Sequence, residues 1–210
     1  MTDPLPLDPL PSAFEFLLAH DVRALVRQVH TDDAPRFERG YQTLSEQSRR
    51  LRFFGQSSQL STRQLQFLTQ LDQVRHVAWG ALDLGVDGQP GIGVARYIAM
   101  PEAPGSAEVA ITIVDHYQHH GAGTLLHACL HLTATQHGFT RFVYDVSSAN
   151  IRFLHYLKAI GAKELSETEH ILRLEMPVYA GPDQVPLVAE SGQHFAALMR
   201  KIAQAKAVVA

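Results

Sequence analysis

"DHYQHHGAGTLLHACLHL" (residues 115–132) decides the fold. It follows "AEVAITIVD" (107–115), whose apolar run reads as a strand, and it changes character at Gly121 and Gly123. From there Ala122, Leu126, Cys129, Leu130 and Thr133 recur on one face of a helix expected over residues 121–137. A strand that runs through glycines into a helix exposes the unpaired N–H groups of the helix start, at the positive end of its dipole. That is an anion site, and glycines let a bulky pyrophosphate approach the backbone. The five histidines invite a metal reading. His116, His119 and His120 share a loop, and His127 and His131 share a helix face at the spacing of two zinc ligands. "HACLH" lacks the second-position glutamate of a metalloprotease helix, and the single Cys129 completes no structural-zinc spacing. The histidines are expected at the surface or partly buried and satisfied, with no metal.

The 210 residues suit one main domain, and 46% hydrophobic against 19% charged residues leaves material for a core. A net charge of −3 argues against a nucleic-acid or anionic-membrane partner. One cysteine fits a reducing compartment, expected to be the cytoplasm, and no apolar run approaches a membrane span. The acidic, proline-rich opening is wrong for a secretory signal.

Residues 1–20 read as an N-terminal arm and 21–176 as the main domain. Within it, 23–29 alternates as a strand, 33–41 is helical, Ser45 caps a second short helix and Ser61 a third. Residues 74–84 and 92–99 form a hairpin broken by "GVDGQPG". Residues 142–146 make a strand, Ser148 caps a helix that ends at Gly161, and 171–176 is the last strand. Residues 177–210 are a loop and an amphipathic helix, whose apolar face at Val188, Phe195, Leu198, Met199 and Ile202 must pack on its own domain or on a second subunit, as in a homodimer. Cys129 and Trp79 read as core.

Gln118-His119-His120-Gly121-Ala122-Gly123 matches Q/R-x-x-G-x-G/A and not the dinucleotide G-x-G-x-x-G. With "LSEQSRRLRFF" (44–54), "LDQVRHVAWGA" (71–81), "GVARYI" (93–98) and "NIRFLHYLKAIGA" (150–162), the chain resembles the GCN5-related N-acetyltransferases (GNAT superfamily). Within them it is most similar to the acetyltransferase domain of Pat-type bacterial protein acetyltransferases. The resemblance implies an α/β fold of mixed α+β character: a twisted, mostly antiparallel sheet with helices on both faces and splayed fourth and fifth strands. It implies acetyl-CoA as co-substrate, held by Gln118, His119, His120, Gly121, Ala122, Gly123 and Thr124, by Ile113 and Val114 along the pantetheine arm, and by Asn150 and Phe153. The Ile113 N–H would meet the thioester oxygen.

Glu108 stands where the family carries a general base, in a partly desolvated cleft, and Arg52 and Phe54 would lie on the acceptor side. The sequence departs from the superfamily at three places. A tyrosine acid seven residues after Asn150 is replaced by Leu157, and the adjacent Tyr156 is expected to point elsewhere. Relatives often have glycine at 119 and arginine or lysine at 120. The tail is expected to dock beside the acceptor cleft. The expected activity is transfer of an acetyl group to a primary amine, a protein lysine or a small molecule, by direct attack, because no Cys or Ser sits at a nucleophile elbow. The alternative is a non-catalytic acyl-CoA sensor, with Glu108 as the discriminator.

Overall fold

A computed structural model of the chain describes residues 10–53 and 59–208. Its sheet has eight strands: β1 (Ala13–Leu17), β2 (Arg23–Gln28), β3 (His76–Asp83), β4 (Gly91–Ala99), β5 (Ser106–Ile113), β6 (Arg141–Ser147), β7 (Lys163–Thr168) and β8 (Ile171–Pro177). Their order is β1-β2-β3-β4-β5-β6-β8-β7, and only β5 and β6 run parallel. Register sorts the side chains into two faces. Trp79, Tyr97, Val109, Phe142 and Tyr144 look into the core, and Trp79 Nε1 donates to Thr133 Oγ1 at 3.0 Å. Arg27, Ala78, Arg96 and Ala110 share the opposite face.

Three helices lie near that second face: α1 (Ala34–Thr43), α2 (Glu46–Phe53) and α3 (Thr62–Thr69). Their starts follow local chemistry. Ser45 Oγ accepts from Ser48 N, and Ser61 with Gln64 forms a reciprocal capping box. α4 (Ala122–Gln136) covers the core face, α5 (Ile151–Ala159) packs beside it, and α6 (Glu190–Ala203) closes over both.

Several expectations change. Ala13–Leu17, assigned to an arm, is an edge strand that buries Phe14. β7 escaped notice because "KELSET" has no apolar alternation and every residue of it is exposed. Its turn to β8 puts Glu169 and His170 at positive φ, a primed hairpin turn built without the usual glycine. Asn150, not Ser148, caps α5 by accepting from the Phe153 N–H, while Gly161 ends that region at φ 106° as expected. α4 is buried nearly all round rather than along one stripe, because the sheet takes one side of it and α6 the other. Phe195, Leu198, Met199 and Ile202 are buried there, but Val188 precedes the helix and is 99% exposed.

His127 and His131 are therefore core residues, each 0% exposed, not surface histidines. Burial holds His127 down, to about 3; burial and then the neighbouring His127 hold His131 well below the ordinary range. His131 Nδ1 accepts from Tyr179 N at 3.0 Å, so its proton sits on Nε2, which meets aromatic rings and no hydrogen-bond partner among the described residues. In the unfolded chain both rings titrate near 6.5, so acid protonates the unfolded state alone. Stability is full above about pH 6.5 and falls as pH drops, by about 2.7 kcal/mol per pH unit for the two together. Urea unfolding at pH values from about 7.5 down to 5 should show this loss, and His131→Leu should roughly halve its slope. A flat profile would contradict the burial of neutral histidines.

Candidate active site

β5 and β6 are held together by three residue pairs, Ser106, Ala107 and Glu108 against Arg141, Phe142 and Val143. Beyond them the strands part, and a cleft of about 660 Å³ opens between β5, the start of α4 and α5. Backbone alternation sets what faces it. Val114 N donates to Ile92 O of β4 at 3.0 Å, so the N–H groups of Ile111 and Ile113 point the other way, into the gap. A parted strand edge leaves a row of backbone groups for a ligand to pair with.

The mouth of the cleft is the loop into α4. Gly121 sits at φ 88° and Ala122 begins the helix, so the first-turn N–H groups face the cleft with no side-chain cap. His119 holds φ 70°, a left-handed conformation that costs a non-glycine residue about 1–2 kcal/mol. That explains why glycine suits this position, and the His119 ring instead rests against the Arg152 guanidinium. Gln118, His119, Gly121, Ala122, Gly123, Thr124, Ile113, Asn150 and Phe153 all line the cleft. Gln118 acts through the protein: its Nε2 reaches Ile113 O and Ser48 Oγ, both at 3.3 Å.

Asp115 completes that brace, accepting from Ser45 N, Ser45 Oγ and Ser48 Oγ at 2.7–3.0 Å. Burial would raise its carboxyl, but these hydrogen bonds hold it below the ordinary value.

Some residues expected here stand elsewhere. Val114 has both backbone groups committed, its N–H to Ile92 O and its carbonyl to Tyr117 N, and it lines a different cavity. His120 turns away because its Nδ1 donates to Gln118 O at 2.8 Å and its ring packs on His20 at 4.8 Å. Glu108 occupies the fork itself, on the face of β5 opposite Ile111 and Ile113, and is solvent-exposed rather than partly desolvated. Arg52 lies on Glu108's face, where burial lowers its pKa and the Glu108 charge opposes that shift. Phe54 lies outside the described residues.

The sequence reading did not assign Arg152, His155, Ala159 and Ser191, which also line the cleft. Arg152 and His155 carried a signal, as polar groups in the first turns of a capped helix. Ser191 carried none, since only the docking of α6 brings it there; the tail borders this cleft and not the face of the sheet that carries Glu108.

Tyr156 also faces the cleft, because Phe153 and Tyr156 share one face of α5 while Leu154 and Leu157 take the core face. Its proton is directed inward. The Met176 thioether can only accept, so Tyr144 donates to it at 3.0 Å. Tyr144 then accepts from His127 Nε2 at 2.7 Å, and His127 Nδ1 accepts from Tyr156 at 3.0 Å. Burial pushes the Tyr156 phenol up, against a hydrogen bond from the Thr124 side chain. Among the described residues no group of three or more His, Cys, Asp and Glu is placed to hold a metal. No described helix is long and apolar enough to cross a membrane.

No protein-family model matches the chain. The acetyltransferase PA5475 of Pseudomonas aeruginosa is 34% identical over 134 residues, which span 63% of this chain and 70% of that protein. The acetyltransferase Pat of Mycolicibacterium smegmatis is 29% identical over 141 residues, 67% of this chain and 41% of that protein. Among solved structures, the GNAT domain of S. lividans PAT superposes with a TM-score of 0.70 at 26% identity, covering 79% of this chain and 96% of that one. Splayed strands, an uncapped helix start at their fork and these relatives converge: the chain belongs to the GNAT superfamily and is an N-acetyltransferase.

Proposed function

We propose that the β5–β6 cleft binds acetyl-CoA and that a primary amine, approaching from the Glu108 face, takes the acetyl group by direct attack. The observation that carries this reading is the parting of β5 from β6 beside the uncapped start of α4. The sheet from β1 to β8 with its helices, residues 13–177, forms the catalytic unit, and the tail helps wall its coenzyme side.

The chain's own groups divide the work. The first-turn N–H groups of α4 hold the pyrophosphate, with Arg152 beside it as a cation for phosphate and the His119 ring set against that guanidinium. The free edge of β5 pairs with the pantetheine arm as an added strand would. The Ile113 N–H meets the developing oxyanion, an interaction worth about 3–4 kcal/mol in related sites. Glu108, across the strand, removes the amine proton directly or through a water once the acceptor covers it. The departing thiolate leaves without a protein acid. A thiol near 8.5 is a tolerable leaving group, and the Tyr156 proton is already committed to His127. No acyl-enzyme forms.

Gly123→Asp tests the cradle. A Cβ there meets only Ile113 and Ile111 side-chain carbons at 3.5–4.0 Å, so the fold tolerates it. A carboxylate facing the pyrophosphate should weaken acetyl-CoA at least about tenfold by calorimetry. Unchanged affinity in the folded variant would reject the site.

Glu108→Gln tests the chemistry. It should keep acetyl-CoA affinity and lower kcat about a hundredfold or more. Normal turnover would mean that the amine loses its proton to solvent and Glu108 has no part in the reaction.

A further inference from the structure

On the face of the sheet that carries Glu108, between β3–β5 and α1–α3, lies a second cavity of about 90 Å³. Its walls are mostly apolar, with Phe37, Tyr41 and Leu68 among them, yet its charged lining is Arg27, Asp33, Arg36, Arg52 and Arg96. Four arginines and one aspartate line one cavity in a chain whose net charge is −3, and Glu108 acts on Arg52 from beside it. Arg27 and Arg36 share Asp33: Arg27 forks onto both carboxylate oxygens at 2.7 Å, and Arg36 reaches one at 3.2 Å. Arg96 has no such neighbour.

Arg96 is 3% exposed and, among the described residues, no carboxylate lies within 4.0 Å of its guanidinium. Its partners are neutral. Both terminal nitrogens donate to Leu68 O at 3.3 Å, one of them also meets His76 Nε2 at 3.1 Å, and Phe37 stacks at 5.7 Å. His76 adds no charge, because burial, and then Arg96, press it down to about 4. Burial, and then the Arg52 charge, also lower Arg96, to about 9, and it stays a cation at neutral pH. Neutral acceptors satisfy a guanidinium's hydrogens but leave its charge uncompensated, and a buried charge without a counter-charge is among the costliest arrangements in a fold.

The register places this charge beside the reaction. Arg96 pairs with Ala110, and Glu108 is the next residue of β5 on the same face, about 7 Å along the strand. An acidic group that takes up an ammonium and a buried basic group lie side by side on one surface, with apolar walls next to them.

Building on the proposed amine-acceptor reading, we propose that this cavity holds a carboxylate carried by the acceptor, with Arg96 as its anchor and Arg52 beside it, so that the acceptors are aminocarboxylates and not polyamines. An arginine fork suits a carboxylate, and the same positive field repels a second ammonium.

Three acceptors of matched length test this: δ-aminovalerate, pentylamine and cadaverine, followed by thiol release from acetyl-CoA. The aminocarboxylate should exceed pentylamine in kcat/KM by at least about tenfold, and cadaverine should be the poorest of the three. Arg96→Gln, which keeps a donor for Leu68 O, should shrink that preference to within about threefold. Calorimetry of the CoA-saturated protein with valerate, which has no amine, should show binding that Arg96→Gln weakens at least about tenfold. Equal or better use of pentylamine or cadaverine would overturn the proposal, as would valerate binding that Arg96→Gln leaves unchanged. Should the variant fail to fold, the ranking of the three acceptors by the native protein decides. Should no amine be acetylated, the acceptor reading falls separately, and valerate binding alone decides the anion site: binding supports it and its absence overturns it.

Discussion

Three residue pairs hold β5 to β6, and then the strands separate. Every other feature of the site depends on that parting. A fully paired β5 would spend the N–H groups of Ile111 and Ile113 on β6 and leave no edge for a ligand. The sheet survives the gap because β4 secures β5 along seven residue pairs and β8 secures β6 along seven more. α4 then plugs the core side of the opening, and its uncapped start lies at the mouth. The unsatisfied backbone that most folds hide is here concentrated at one place, at the edge of a strand and the end of a helix, where binding can satisfy it.

The two faces of β5 have different chemistry for a reason visible in the register. Ile111 and Ile113 look toward α4 and α5, and Glu108, Ala110 and Thr112 look toward α1–α3. A thioester held in the gap, as proposed, would be reachable from the opposite side, where the exposed carboxylate and the buried arginines stand. The polar chain from Thr124 through Tyr156, His127 and Tyr144 to Met176 lies on the α4–α5 side of the sheet. Because it ends on a sulfur that cannot donate, every proton in it has a fixed direction, and the chain works as a rigid brace for Phe153 and Tyr156 rather than as a proton store.

Much of this was legible in the sequence, and the failures have physical causes. The strand–glycine–helix passage at 107–137, the β3–β4 hairpin and the helix caps at Ser45 and Ser61 rest on local rules, and they appear where those rules put them. Glycine-loop residues from Gly121 to Thr124 follow from the same passage. What local rules cannot carry is pairing and packing. β1 depends on pairing with β2 and β7 on pairing with β8, not on its own pattern. His127 and His131 become core residues because α6 covers α4, and Ser191 reaches the cleft by the same docking. Val114 and His120 matched a motif by position, but their backbone or ring atoms were already engaged inside the protein. Arg96 gave no sign at all, since a lone arginine in "GVARYI" looks like any half-exposed strand residue until three helices are laid over it.

Amide hydrogen exchange with and without acetyl-CoA reads the central claim most directly, because it reports the same N–H groups that the account assigns to the ligand. On addition of acetyl-CoA, exchange should slow at Ile113 and across Gly121–Thr124 together, while the edge strand β7 stays unchanged. Slowing confined to other parts of the chain, or none at these amides at saturating ligand, would contradict the cleft between β5 and β6 as the coenzyme site.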